Sequence, residues 1–340
     1  MLEVKQFLYN KSKMNNSQTS EHPYVIGLDL GGTNAVFGIV DKDANIVAQT
    51  SIKTQDYSTV EDFVAASVAA LRPIIDEVGG IEKIHGMGIG APNANYYTGN
   101  IETAPNLVWA KNRVVPLAKM FSDELGIGAK MTNDANAAAL GEMTYGAARG
   151  MKNFIVITLG TGVGSGIVIN GELVYGHDGF AGELGHVIMD RSENARPCGC
   201  GRKGCLEAYC SATGVMRSAR EILEKNDRPS LLRNVPVDQL SSYEVFKAAE
   251  QGDEIAKEIF EFTGKMLGQA CADFTAFSSP EAFIFFGGLT KSGEWIMEPI
   301  RRAYDESVLN IFRGKAKFML SSLDGAGAAV LGAAALGWKA

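Results

Sequence analysis

The chain has 340 residues, 46% of them hydrophobic and 21% charged, a composition typical of a folded globular protein with one large or two medium domains. Its net charge of −7 argues against non-specific nucleic-acid binding, which needs a basic face to neutralise phosphates. No apolar run approaches the roughly 20 residues of a membrane-spanning helix, and the polar N-terminal segment has no hydrophobic core of a secretory signal. We therefore expect a cytoplasmic protein with a disordered tail over residues 1–23.

Two β-prone runs open the folded part of the chain, Tyr24–Leu30 and Ala35–Val40, and Gly31-Gly32 between them predicts a hairpin. Adjacent glycines leave backbone N–H groups accessible to phosphate oxygens, and Thr33 adds a hydroxyl. Asp29, at the strand end, could hold a magnesium-bound water near such phosphates. The turn lacks the GK[ST] signature of a Walker A loop, and a plain hairpin turn is the alternative interpretation.

The same pattern recurs about 130 residues later, where Phe154–Leu159 leads into Gly160–Gly166 and then Ile167–Asn170. Thr161 supplies the hydroxyl of this second turn. The repetition suggests two related lobes and favours phosphate binding over two unrelated turns. Gly287-Gly288, after a predicted strand, could leave room for a purine or ribose, although such a pair is usually only a turn.

Helical patterns fill the segments between the strands. Ser58–Glu61 has capping-box spacing and opens a predicted helix to about Val78, which Pro73 is expected to kink or split. Mixed strands and helices in this order predict α/β layers. Further helices are predicted over 134–148, over 242–277 with a break near Gly252, and over 325–336.

Asn133 and Asp134 lie at a predicted helix start. N-capping is the ordinary role of an aspartate at this position. A carboxylate here could instead accept a proton from a substrate hydroxyl, with Asn133 orienting the substrate. Phosphoryl transfer requires positioning, charge neutralisation and one such base, so the two phosphate turns favour the functional interpretation of Asp134.

Four candidate metal ligands are concentrated in one loop: His186, Cys198, Cys200 and Cys205. Three thiolates and one imidazole suit tetrahedral zinc and leave no open coordination position, so the metal would be structural. Interleaved glycines supply the turns that such a loop needs, which disfavours the alternative of ordinary buried cysteines. The clustering also favours metal ligation over a disulfide framework.

Two glutamates, Glu183 and Glu207, bracket this loop. Carboxylates accept hydrogen bonds from sugar hydroxyls, in bidentate fashion when two hydroxyls are adjacent. His186 could ligate the metal with one ring nitrogen and present the other to the same ligand. Upstream, Gly90-Ala91-Pro92 and Pro105–Trp109 offer a backbone amide, the side-chain amide of Asn106 and an aromatic wall.

Together these motifs resemble the ROK family (repressor, open reading frame, kinase) of sugar kinases, in unbroken order over residues 24–340. The resemblance rests on DLGGTN (29–34), GAP (90–92), PNLVW (105–109), NDAN (133–136), LGTGVGSG (159–166), AGELGH (181–186), CGCGRKGCLE (198–207) and FGG (286–288). It implies the α/β actin-like ATPase (ribonuclease H-like) fold, with two lobes and a duplicated β-hairpin phosphate-binding unit. The lobes are expected at 24–135 and 136–323, with a C-terminal helix at about 324–340 able to pack back on the first.

The resemblance also implies ATP-dependent phosphorylation of a hexose at its 6-hydroxyl, with glucose the first choice and Asp134 the general base. The implied sugar-binding residues are Gly90, Asn106, Asn133, Asp134, Glu183, His186 and Glu207. The implied ATP-binding residues are Gly31, Gly32, Thr33, Asn34, Thr161, Gly162, Gly287 and Gly288. His186, Cys198, Cys200 and Cys205 would bind structural zinc, and Asp29 would serve magnesium.

Several alternatives stay open at this stage. N-acetylmannosamine, N-acetylglucosamine and fructose are rival substrates, and a non-catalytic sugar-sensing regulator is a rival of another class. Asn34 stands where lysine is frequent in the family, and Asn93 where glycine is common, so the phosphate-side charge and the sugar-entry loop could differ. About 23 residues precede the first strand, too few for the DNA-binding domain of ROK repressors, so no nucleic-acid partner is expected. A homodimer, or a tetramer, is expected by resemblance.

Overall fold

The structure is a computed structural model that describes residues 22–323 and 327–340. Residues 1–21 of the predicted tail (1–23) and the predicted helix start at 324–326 lie outside the described residues. The chain divides into two compact units, one reaching to Thr132 and including Ala329–Ala340, the other spanning Asn133–Ala328. Within the described ranges, no helix is long and apolar enough to cross a membrane.

The first unit is built on a five-stranded sheet in the order β3-β2-β1-β4-β8. The first three of these strands pair antiparallel, whereas β4 and β8 run parallel to β1. A small three-stranded sheet, β5-β6-β7, accompanies it. In chain order the elements are β1 (Tyr24–Leu30), β2 (Asn34–Asp41), β3 (Ile46–Lys53), α1 (Val60–Glu77), β4 (Ile84–Gly90), β5 (Ala94–Asn95), β6 (Asn100–Glu102), β7 (Val114–Val115), α2 (Leu117–Leu125) and β8 (Ala129–Thr132).

The core of this unit forms where α1 and α2 cover the sheet, and Phe37, Phe63 and Phe121 are fully buried in it. The last helix of the chain packs against the strands through backbone contacts. A Cβ atom on Gly88 would lie 1.9 Å from the carbonyl oxygen of Ala333, so only glycine permits this approach. The small-residue composition of the C-terminal helix therefore serves close packing on β4.

The second unit is built on a second five-stranded sheet, in the order β11-β10-β9-β12-β13, with its own hydrophobic core. Helices α7 and α8 pack closely where Gly268 meets the backbone of Ile300. In chain order the elements are α3 (Asp134–Thr144), β9 (Phe154–Leu159), β10 (Val163–Ile169), β11 (Glu172–Leu173), α4 (Glu207–Cys210), α5 (Ala212–Lys225), α6 (Ser242–Glu250), α7 (Glu254–Ser278), β12 (Ala282–Phe286), α8 (Glu294–Ser307), β13 (Lys317–Leu320) and, closing the chain beyond this unit, α9 (Ala328–Gly337).

The two large sheets have the same topology. In each, three antiparallel strands are followed by two parallel ones, and the hairpins β1–β2 and β9–β10 occupy corresponding places. The predicted repetition of a strand–glycine turn–strand unit is therefore present in the fold. Both hairpins carry their glycine turn at the end of the central strand.

The structure corrects two expectations about the first long helix. Thr59, not Ser58, is the N-cap of α1, and its hydroxyl exchanges hydrogen bonds with Asp62. Pro73 does not split the helix, which continues to Glu77. Because proline has no N–H group, Pro73 cannot donate the helical hydrogen bond to the carbonyl oxygen of Ala69. Both residues lie on the exposed face of the helix, where water can bind that oxygen.

Two further expectations differ in extent. Helix α3 ends at Thr144 rather than 148, because the carboxylate of Glu142 accepts a hydrogen bond from the backbone N–H of Ala147 at 2.7 Å. The second glycine turn is also shorter than 160–166, since β10 begins at Val163. Gly166 lies within that strand, and glycine is needed there because a Cβ would meet the Cβ of Ala139 on α3 at 2.6 Å. The glycine run thus serves both a turn and helix packing.

Candidate active site

In the first unit, the predicted residues gather around the end of β1. Asp29 pairs across the sheet with Gly90 of β4. A Cβ on Gly32 would lie 2.9 Å from the carbonyl oxygen of Asn106, so the glycine turn packs directly on the segment that carries this amide. Thr33 and Asn34 are exposed. The first glycine turn therefore lies beside both Gly90 and Asn106, the proposed sugar-binding residues of this unit.

At the start of α3, the helix-capping role and the predicted catalytic role belong to two different residues, Asn133 and Asp134. Asn133 is the N-cap, and its Oδ1 accepts a 2.7 Å hydrogen bond from the backbone N–H of Asn136. Asp134 is the first helical residue and is exposed. Its Oδ1 accepts a 2.9 Å hydrogen bond from the N–H of Ala135. Because Asn133 caps the helix, the carboxylate of Asp134 is not needed for that purpose.

The second glycine turn is held on both sides. The Gly160 carbonyl accepts a hydrogen bond from the N–H of Ala212 at 2.9 Å, and the Thr161 carbonyl accepts one from the hydroxyl of Thr213 at 3.0 Å. Gly287 directly follows β12 and lies beside the same turn. Its φ is 111°, and a Cβ built on it would lie 2.6 Å from the carbonyl oxygen of Leu159. The turn after β9 and the Gly287-Gly288 pair after β12 therefore lie side by side at the carboxyl ends of two neighbouring strands. Only glycine fits at position 287.

The cysteine loop brings its four predicted ligands together. The donor atoms of His186, Cys198, Cys200 and Cys205 all lie within 4.8 Å of one another. Cys200 Sγ and Cys205 Sγ are 3.7 Å apart, and His186 Nδ1 and Cys198 Sγ are 3.8 Å apart. Tetrahedral zinc with Zn–S bonds of about 2.3 Å separates its ligands by about 3.8 Å. The donor set and its spacing therefore fit zinc.

Without a metal, the surroundings of the loop favour the thiolate form at only one of its three cysteines, since burial raises the pKa of both Cys198 and Cys205. Hydrogen bonding from the Arg202 backbone N–H, opposed by partial burial, lowers the pKa of Cys200 to about 6. Burial raises the pKa of Cys198 to about 12. The thiolate is the form that binds metal, so Cys200 is the cysteine already prepared for it.

Glu183, Glu207, His186 and Asp134 share one electrostatic environment. Burial raises the pKa of the Glu183 carboxyl, the nearby charges of Asp134 and Glu207 raise it further, and His186 opposes them. Glu207 begins α4, and its Oε2 accepts a 3.0 Å hydrogen bond from the backbone N–H of Val163. Three carboxylates and an imidazole thus lie close enough in the second unit to influence one another, and such a set can bind hydroxyl groups and accept a proton.

Two positioning features were missed by the sequence reasoning. The hydroxyl of Ser165 donates to the carbonyl of Gly182 and accepts a 3.2 Å hydrogen bond from the N–H of Leu184, which holds the Glu183 turn against β10. A serine between two glycines of a turn motif gave no signal for this contact.

The second feature is the buried guanidinium of Arg196, which ties the cysteine loop to α5. It donates to Glu221 at 2.8 Å and to Ser218 at 3.0 Å. The hydroxyl of Tyr209 accepts a 2.9 Å hydrogen bond from the Arg196 N–H and donates to Asp190 at 2.6 Å. The loop therefore has a second anchor besides its four candidate metal ligands.

Duplicated sheets, each with a glycine turn between its central strands, define an α/β protein of the actin-like ATPase fold. The ROK family model matches residues 25–340, and the chain belongs to this family. This confirms the fold and family predicted from the sequence.

Individual relatives cover nearly the whole chain. A glucokinase of Halalkalibacterium halodurans is 34% identical, with 93% of this chain and 94% of the relative covered, and a glucokinase of Thermotoga maritima is also 34% identical, with 92% and 96% covered. Among solved structures, a ROK family glucokinase from Streptomyces griseus in complex with glucose and AMPPNP is 32% identical, with a TM-score of 0.74, 93% of this chain and 100% of that chain covered. A putative xylose repressor from a Caldicellulosiruptor species is 26% identical, with 82% of this chain and 69% of the relative covered.

Proposed function

We propose that this chain transfers the γ-phosphoryl group of ATP to the 6-hydroxyl of a hexose, and that glucose is its principal substrate. Relatives described as glucokinases, similar over more than nine-tenths of the chain, confirm the predicted class of ATP-dependent hexose kinase. A sugar substrate is supported by the proximity of His186 and Glu207, which both lie beside Cys198 Sγ (3.8 Å from His186 Nδ1 and 3.6 Å from Glu207 Oε1). Charges on Asp134 and Glu207 also act on the nearby carboxyl of Glu183. Such a group offers several acceptors for sugar hydroxyls.

Asp134 is assigned the role of general base. Its carboxylate is exposed, lies at a helix N-terminus and is free of the capping role, which Asn133 performs. Proton acceptance from the attacking hydroxyl is the one covalent task that phosphoryl transfer asks of the protein. We assign sugar binding to the residues named for it above: Gly90, Asn106, Asn133, Glu183, His186 and Glu207.

We assign the nucleotide to the glycine motifs. The exposed residues Thr33, Asn34 and Thr161 in these glycine turns support contacts with phosphate oxygens. Asp29, at the end of β1, is assigned to magnesium, which would neutralise the phosphate charge. The residues proposed for ATP are Gly31, Gly32, Thr33, Asn34, Thr161, Gly162, Gly287 and Gly288.

Zinc is proposed as a structural ion held by His186, Cys198, Cys200 and Cys205. The fit rests on the four donor atoms within 4.8 Å and on the preference of zinc for sulfur and nitrogen ligands. When bound, zinc would cross-link the loop without taking part in the reaction. The residues of the loop itself then keep His186 and Glu207 in fixed positions.

An ATP-coupled assay over a panel of hexoses tests this proposal. We expect sugar-dependent ADP release with the highest kcat/KM for glucose and lower values for fructose, N-acetylmannosamine and N-acetylglucosamine. Sugar binding without ADP release from any hexose would instead identify a non-catalytic sugar sensor, and that result would refute the kinase assignment. Sedimentation of the purified protein would test the accompanying expectation of a homodimer, and fractionation that of a cytoplasmic location.

A further inference from the structure

The second glycine turn contacts the carboxylate of Glu207 directly. The backbone N–H of Val163, the residue after the turn, donates a 3.0 Å hydrogen bond to Glu207 Oε2. Gly162 lies against the same oxygen, since a Cβ built on it would be 2.3 Å from Oε2 and 3.2 Å from Cδ. The position of this carboxylate is therefore set by the turn as well as by its own helix.

The same stretch of backbone also supports the Glu183–His186 turn. A Cβ on Gly185 would lie 1.9 Å from the carbonyl oxygen of Val163 and 3.1 Å from its Cβ. The N–H group of Val163 therefore binds Glu207, and its carbonyl group packs against the segment that carries Glu183 and His186. A shift of this residue would move all three side chains.

The turn is not free to relax independently of α4. Ala212 and Thr213 at the start of α5 bond to the carbonyls of Gly160 and Thr161. Helix α5 begins two residues after α4, whose first residue is Glu207. A displacement of the turn is thus transmitted to Glu207 by a direct hydrogen bond and by the adjoining helix start.

We propose that Gly162 and Val163, at the end of the nucleotide-binding turn, also position the sugar, and that occupancy of the nucleotide site thereby alters sugar affinity through Glu207. The inference rests on the proposed function, because Glu207 must bind the sugar and the turn must bind the nucleotide. Linkage requires that the sugar alters nucleotide affinity by the same factor. A side chain at position 162 would displace the Glu207 carboxylate, because its Cβ would lie 2.3 Å from Oε2.

The test compares two substitutions in the same turn. Gly162→Ala places a methyl group against Glu207, whereas Gly160→Ala meets no atom within 4 Å. Neither position has a positive φ, so backbone strain does not distinguish them. Glucose binding is measured by calorimetry without nucleotide. Because a hydrogen bond to a charged group is lost, we expect Gly162→Ala to raise the glucose Kd about tenfold or more, and Gly160→Ala to leave it within about twofold.

A double-mutant cycle shows whether the effect acts through the carboxylate. In a Glu207→Ala background, Gly162→Ala should cause no further loss of glucose affinity, because the displaced group is absent. In a Glu207→Gln background, which keeps the shape of the side chain, its effect should persist. Equal effects of Gly162→Ala and Gly160→Ala, or full additivity with Glu207→Ala, would overturn the proposal.

A measurement on the unaltered protein guards against variants that fail to fold. Glucose Kd is determined with and without AMPPNP and magnesium, and we expect a difference of about fivefold or more that Gly162→Ala reduces. An unchanged glucose Kd overturns the coupling even where glucose is phosphorylated normally. Absence of both glucose binding and sugar-dependent ADP release would instead refute the proposed function itself, so the two failures are distinguishable.

Discussion

Replacing Asp134 by asparagine separates chemistry from binding in this protein. The substitution preserves size and retains Oδ1, so the 2.9 Å hydrogen bond from the Ala135 N–H can persist. The side chain is exposed and does not cap the helix. We therefore expect the free energy of unfolding to change by less than about 0.5 kcal/mol.

The catalytic loss should be much larger than the structural one. A positioned general base contributes about 10²- to 10⁴-fold to a rate. This corresponds to about 2.7–5.5 kcal/mol in the activation barrier. The loss should appear in kcat, while the glucose Kd changes little, because the sugar retains its other proposed hydrogen-bonding partners.

The assay measures ADP release and calorimetric glucose binding for Asp134→Asn beside Asp123→Asn. Asp123 is an exposed carboxylate on α2 paired with Lys119, and it is a matched control because such surface pairs contribute little. The control should retain full turnover. A kcat for Asp134→Asn within about threefold of the unaltered protein would refute the role of Asp134 as base.

Three further predictions follow from the geometry. Cys205→Ser should remove bound zinc, measured by elemental analysis, and raise the glucose KM; unchanged zinc content would contradict the ligand assignment. Gly287→Ala should lower the free energy of unfolding by at least about 2 kcal/mol, because its Cβ would meet the carbonyl of Leu159 at 2.6 Å and its φ is positive. A thermal melt measures this loss. The control Gly288→Ala, whose Cβ would meet no atom within 4 Å, should be nearly neutral. The pKa of Glu183 is raised above its usual 4.5, so its carboxylate becomes protonated at a higher pH than that of an ordinary glutamate. The glucose KM should therefore rise as pH falls through that range. A Glu183→Gln variant with the same pH profile of KM would disprove this cause.

Local sequence patterns predicted much of the fold. The bounds of β1 and β9 follow directly from their apolar runs, and the break between α6 and α7 follows from Gly252. Boundaries were wrong where a tertiary contact decided them. The carboxylate of Glu142 ends α3 early. The predicted end of α1, at about Val78, agrees with its end at Glu77, and burial of one face keeps this helix unbroken at Pro73.

Residue types in fixed spacing determined which groups of this protein could do chemistry. Three cysteines and a histidine in one loop predicted a metal site, and their donor atoms do lie together. The spacing works because ligands of a tetrahedral ion in a short loop need turns, and interleaved glycines mark those turns in the sequence.

Only the tertiary structure decided how those groups are held. It places the capping function on Asn133 and thereby frees Asp134, and it brings Val163, from a strand far away in sequence, into contact with Glu207. Nothing local identifies such partners, because hydrogen bonds between distant segments depend on the packing of the whole unit. The sequence determined the chemistry available, and packing determined which atoms are positioned to perform it.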